Sequence, residues 1–224
     1  MRRFWCLLLA LCLLSPSAGA QEGGKYVALT FDDGPSGRFT TRLLDGLAER
    51  GVKASFFLCG YRLETYGELA QRIFDEGHEI GLHGYSHDNM AEMSAGQIRR
   101  ELEQTLALLP EGCVITTMRP PGGQMTGAVE QVAEGMGLAI VSWSVDPRDW
   151  ATDCTADIER RVLEDAGDGD IILLHDMSDS SVDAALFLVD QLQSEGYEFL
   201  TVSELSARRG REMTAGVCYS QFWP

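Results

Sequence analysis

Apolar positions along this chain switch between two spacings. Short runs rich in aliphatic and β-branched residues occur at 26–32, 53–59, 79–83, 115–119, 138–145, 170–175 and 198–202, and runs of that length and make-up predict strands. Between them the spacing stretches to three and four residues, as helices require. The clearest case starts at Ser94, with Gln97 three residues on as a capping-box partner, and lines up Ile98, Leu102, Leu106 and Leu109. Ile158, Val162 and Ala166 mark a second helix, and 181–195 a third. Gly51, Gly77, Gly137, Gly167 and Gly196 fall where helices should stop.

Seven strands separated by helix-length segments imply parallel pairing. A barrel and an open doubly wound sheet both satisfy the pattern, and in either one reactive groups belong at the C-terminal ends of the strands. No low-complexity tract divides residues 25–224, which read as one domain after a short linker at 21–24. The first 20 residues are of another kind. Arg2 and Arg3 precede an apolar stretch at 4–14, and Ala18–Gly19–Ala20 closes it. Such a segment predicts a secretory leader cleaved after Ala20. It is too short for a bilayer span, which needs about 20 residues, so the mature chain is expected outside the cytoplasm with no membrane span.

Composition narrows the partners. The chain carries 18 basic and 34 acidic residues for a net charge of −16, and loses two more positive charges with Arg2 and Arg3. An acidic surface repels phosphate backbones, which argues against nucleic acid and is compatible with a neutral or cationic polymer. Cys59, Cys113, Cys154 and Cys218 would remain after cleavage. They lack zinc-type CxxC spacing, and both disulfides and buried thiols stay open.

The strand ends hold the chemistry. The first leads into Asp32–Asp33–Gly34–Pro35, an ordinary turn composition or a carboxylate pair awaiting a cation. The third leads into His83–Gly84–Tyr85–Ser86–His87, whose imidazoles can converge on one ion or sit unconnected at the surface. The fourth runs into Arg119–Pro120–Pro121–Gly122–Gly123, a plain loop or a carboxylate clamp beside freely approachable backbone. The fifth gives Trp143, Asp146, Asp149 and Trp150, and the sixth delivers His175 after Leu173 and Leu174. Histidine there suits proton transfer near neutrality or a structural hydrogen bond. His78 is read as structural.

These five segments, in this order over 25–205, resemble the polysaccharide deacetylase family (NodB-homology domain, carbohydrate esterase family four). The resemblance implies an α/β fold of the distorted (β/α)7 barrel type. By position it implies Asp33, His83 and His87 as ligands of a divalent metal, most often zinc, with cobalt or another divalent ion accepted. It implies Asp32 as catalytic base, Arg119 as the group orienting it, and His175 as general acid tuned by Asp149. Gly122 falls at the oxyanion-hole position, and Trp150 and Leu173 at the walls of the acetyl pocket. Two positions depart from the family pattern: Gly84 replaces a Ser or Thr that steadies the loop, and Gly122 replaces a larger residue. The implied reaction is removal of N-acetyl groups from an amino-sugar polymer such as peptidoglycan, chitin oligomers or poly-N-acetylglucosamine. An O-acetyl esterase acting on xylan-type polysaccharide and a non-catalytic carbohydrate-binding homologue are the alternatives.

Overall fold

The structure, a computed structural model, describes residues 23–224. The leader at 1–20 and the start of the 21–24 linker lie outside the described residues. Strand β1 (Lys25–Asp32) is followed by α1 (Gly37–Glu49), β2 (Ser55–Leu58), α2 (Gly60–Asp75), β3 (Glu79–Leu82) and α3 (Ala95–Leu106). The second half contains β4 (Thr117–Met118), α4 (Gly127–Met136), β5 (Ala139–Val141), α5 (Thr155–Asp165), β6 (Ile171–His175), α6 (Asp179–Ser194), β7 (Tyr197–Phe199), α7 (Val202–Arg208) and β8 (Cys218–Tyr219).

All strand pairs are parallel, in the order β6-β1-β2-β3-β4-β5-β8, with β7 on the first half of β1. The sheet curls into a half-barrel. Its open seam lies between β5 and β6, where the isolated bridge Val145–Ile172 joins the two sides. β8 lies against β5, and Gln221 bridges Asp170 below the seam. Seven of the eight strands among the described residues fall on the expected runs. The expected strand at 138–145 is regular only over Ala139–Val141, because Trp143 to Asp146 leave the sheet to form the rim.

β1 is buried along its length after Lys25, as a strand covered on both faces must be. Its alternate residues serve two compartments. Val27, Leu29 and Phe31 face outward and pack with Leu43, Leu47, Leu174, Leu188 and Val189 in the sheet–helix core. Tyr26 and Ala28 face inward with Phe57, Val141, Ile171, Leu205 and Phe222. Continuing that inner row puts Thr30 and Asp32 above this apolar floor, and the same alternation on β6 puts Leu173 and His175 inside. Cores at both levels therefore fix where the polar residues emerge.

α3 departs from its expected face. Ile98 and Leu102 are buried, but Thr105 occupies the third inward position and Leu106 turns outward at 43% exposure. Thr105 satisfies its hydroxyl on Glu101 O at 2.9 Å. The Gln97 side chain accepts Ser94 N–H at 3.0 Å, as the capping pattern requires. Gly137 ends α4 in a left-handed conformation, φ 74, that a side chain would strain. Among the described residues all four cysteines are free thiols, with Cys59 buried and Cys154 and Cys218 exposed.

Candidate active site

Asp32, Asp33, His83, His87, Gly122, Trp150, Leu173 and His175 line one cavity of about 360 Å³ at the C-terminal rim of the sheet, with Trp143 and Asp146 completing the wall. Arg119 and Asp149 stand directly behind it. The ten residues singled out in the sequence thus converge on one place.

Asp33 would follow β1's alternation to the outer face. Instead the chain turns at φ 71, and its Oδ1 lies 3.2 Å from His83 Nε2 and 3.0 Å from His87 Nε2. His87 also sits at positive φ, 65°. A side-chain residue in that region costs about 1–3 kcal/mol, a strain typical of functional sites. Asp33 Oδ1 is buried with no hydrogen-bond donor. Burial opposes its ionisation, yet the neighbouring His83 and His87 hold its carboxyl well below the usual carboxylate range. The Asp33 carboxylate beside it in turn raises His87. His83 Nδ1 lies 2.7 Å from Arg119 O, an atom that can only accept, so Nδ1 donates there and the ring is turned with Nε2 toward Asp33.

These three residues form the one such cluster of ligand atoms among the described residues, all within 4.8 Å of one another. One carboxylate oxygen and two imidazole nitrogens suit zinc, cobalt or a similar divalent ion, and they leave coordination positions open. The orphaned Asp33 oxygen and the His83 ring held with Nε2 toward it both fit such an ion.

Two charged pairs flank the cluster. Arg119, fully buried, donates to Asp32 Oδ1 at 2.6 Å and to Thr30 Oγ1, Val141 O and Ser142 O at 2.9–3.0 Å. Its guanidinium lies 4.2 Å from the Phe57 ring centroid and 5.5 Å from that of Trp143. Asp149, buried in the short turn Asp149–Ala151, accepts from His175 N at 2.8 Å and pairs with His175 Nδ1 at 2.8 Å. Burial works against a charged His175, but the hydrogen bond and charge of Asp149, with Asp32 and Asp33 nearby, push it up to about 9. Asp32 and His175 are direct neighbours in the β1–β6 register.

The supporting residues were harder to foresee. Asp176 is fully buried, accepts from Thr40 through its carboxylate and from Ser36 through its carbonyl, and so ties the end of β6 to the loop after Asp33. A Cβ on Gly34 would come within 2.5 Å of Asp176 Oδ1. Burial pushes the Asp176 carboxyl up to about 6. Gly84 has φ 82, and a Cβ there would meet Met90 Cε at 2.9 Å, which accounts for the missing Ser or Thr. Trp143 lies under Gly123, where a Cβ would come within 2.5 Å of its ring. Gly122 also has positive φ, with open space around it. His78 stands elsewhere, accepting Ala54 N–H at 3.1 Å, with burial pushing it down to about 4.

The polysaccharide deacetylase family model matches residues 19–141. A Bacillus cereus peptidoglycan-N-acetylglucosamine deacetylase is 35% identical over 187 residues, covering 81% of this chain and 88% of its own. The chain belongs to the polysaccharide deacetylase family. Another of its members, the Listeria monocytogenes peptidoglycan-N-acetylglucosamine deacetylase PgdA, is 36% identical over 192 residues, or 85% of this chain. This chain spans only about two fifths of that longer protein, 41%. Among solved deacetylase-family structures, a family 4 acetyl xylan esterase from Clostridium thermocellum in complex with a cobalt ion superposes with a TM-score of 0.81. It is 33% identical, over 88% of this chain and 98% of that one.

Proposed function

We propose that this chain is an exported, metal-dependent hydrolase that removes N-acetyl groups from an N-acetylglucosamine polymer and releases acetate. The observation that carries the reading is the pairing of two proton-handling devices, Asp32–Arg119 and His175–Asp149, across one cavity holding the Asp33–His83–His87 cluster. The similarity to peptidoglycan deacetylases supports the substrate class.

Asp33, His83 and His87 would hold the ion, zinc being the best match to the donor set. When bound, a divalent ion supplies Lewis-acid polarisation of the acetyl carbonyl and an acidified water. Arg119 holds the Asp32 carboxyl in place through its bond to Oδ1, so that Asp32 accepts the proton of the attacking water. The Gly122 N–H faces the developing oxyanion, where preorganised donors are worth most. His175, held protonated and oriented by Asp149, gives its proton to the departing nitrogen, without which an amine leaves poorly. Trp150 and Leu173 enclose the acetyl methyl, with Trp143 closing the wall.

The same machinery cleaves acetyl esters, and the similarity to the xylan esterase supports O-deacetylation as the second reading. Acetate release by purified protein from peptidoglycan, chitin oligomers, poly-N-acetylglucosamine and acetylated xylan separates them. Turnover confined to xylan would displace the N-deacetylase reading, and no release from any polymer with metal supplied would favour a non-catalytic homologue. Export rests on the leader pattern at 1–20 and predicts a mature amino terminus at Gln21. Sequencing the secreted form checks it, and an intact Met1 on the mature protein would count against it.

A further inference from the structure

The segment between the two imidazoles is gripped from both sides. Its carbonyls are taken by the first turn of α2, where Gly60 N–H donates to Gly84 O and Tyr61 N–H to Tyr85 O, each at 3.0 Å. Its donors converge on one oxygen of one side chain. Glu101 Oε2, on α3, accepts from Tyr85 N at 2.8 Å, Ser86 N at 2.7 Å and Ser86 Oγ at 2.9 Å. Charge-assisted bonds of this kind are roughly twice as strong as neutral ones. Packing holds the carboxylate at that height: Ile98, Leu102 and Thr105 anchor the inner face of α3. The fit is close, since a Cβ on Gly60 would come within 2.4 Å of Tyr85 Cδ2 and 2.7 Å of Thr105 Oγ1.

The loop needs such a grip. Gly84 and His87 bracket it at φ 82 and 65, and His87 bears the strain of a side chain in the left-handed region. Gly84 brings no hydroxyl of its own to steady the turn. We propose that Glu101 is the positioning residue of the metal cluster, its carboxylate pinning Tyr85 and Ser86 so that His87 stays turned toward Asp33 and His83. The inference rests on the reading that those three residues bind a divalent ion.

The test compares the wild type, Glu101→Ala, Glu101→Gln and Glu103→Ala after chelator stripping. It measures zinc affinity by competition with a chromophoric chelator and thermal unfolding of the metal-free proteins. Glu101→Ala should weaken zinc about 10–100-fold, the usual effect of removing a group that orients a ligand, with a metal-free unfolding temperature close to wild type. Glu101→Gln keeps an acceptor oxygen and should recover most of the affinity, while Glu103→Ala, exposed on the same helix, should bind as wild type does. If the alanine variant does not fold, Glu101→Asp, too short to reach all three donors, carries the same expectation. Wild-type zinc affinity in Glu101→Ala would overturn the proposal, as would a loss no greater than that of Glu103→Ala. A wild-type protein that binds no zinc would remove the metal reading and the clamp together, whereas tight wild-type binding with an unaffected Glu101→Ala removes the clamp alone.

Discussion

Asp32 reaches the cavity through the regular alternation of an extended strand, whereas Asp33 reaches it only because the chain turns at φ 71. The two carboxylates consequently meet different neighbours, one a buried guanidinium and the other two imidazoles. Asp33→Asn should weaken metal binding and abolish turnover that excess metal restores only in part. Asp32→Asn should keep the metal and lose nearly all acetate release. It should also lower the unfolding temperature, because Arg119 is left buried without its counter-charge, a loss of about 3–5 kcal/mol for a broken buried pair. Bound metal, acetate and thermal unfolding, measured on both variants, decide the assignment; loss of the ion from Asp32→Asn alone would reverse it. His175 titrates in a direction that can be checked as well. Its metal-free pKa, raised to about 9 from 6.5 chiefly by Asp149 against the effect of burial, means the pair's stabilisation is complete below about pH 6.5 and lost as pH rises through 9. Asp149→Asn should lower the His175 pKa and move the basic limb of kcat/KM to lower pH. An unmoved limb would exclude His175 as the proton donor.

Secondary elements were legible to the extent that their own residues carry the signal. Strand runs with continuous apolar sequence, β1 and β6 above all, announce themselves because both faces are buried. The outward turn of Leu106 on α3 was not legible, since it depends on Thr105 finding a carbonyl and a close neighbour in Gly60. β8 was missed for a similar reason: two residues in a polar tail have no period, and only β5 makes them a strand. The residues that line the cavity were readable at strand ends, while Glu101 on α3 looks like any solvated helix charge. Phe222 belongs to the same class of hidden residue. It enters the barrel floor from the far end of the chain, fully buried against Tyr26, Phe57 and Ile171, with its N–H on Gly169 O at 2.7 Å. Phe222→Ala should cost about 3–5 kcal/mol, measured by denaturant unfolding. A change within experimental error would show that the floor is closed without it.

Acidic residues outnumber basic ones over the whole chain, 34 to 18. With a net charge of −16, the molecule should attract oligosaccharides bearing free amines more than neutral ones. Its kcat/KM on partly deacetylated oligomers should fall with added salt, since the screening length is already about 8 Å at physiological ionic strength. A neutral oligomer should show little dependence, and equal slopes for both would remove any role for the surface field.

β1 ends at Asp32 and leads straight into Asp33, yet its partners arrive late. Thr30 donates to Ile172 O across 142 residues of sequence, and the apolar floor beneath Asp32 is finished only by Phe222. A chain emerging from a ribosome or a translocation channel therefore cannot assemble its reactive centre piecemeal. The segment bearing Asp32 must wait, unpaired on one side, until β6 at Ile171–His175 is free. Long-range closure of this kind slows folding. Were the leader pattern at 1–20 to export the chain as proposed, that delay would keep it threadable and the cavity unformed until it is outside.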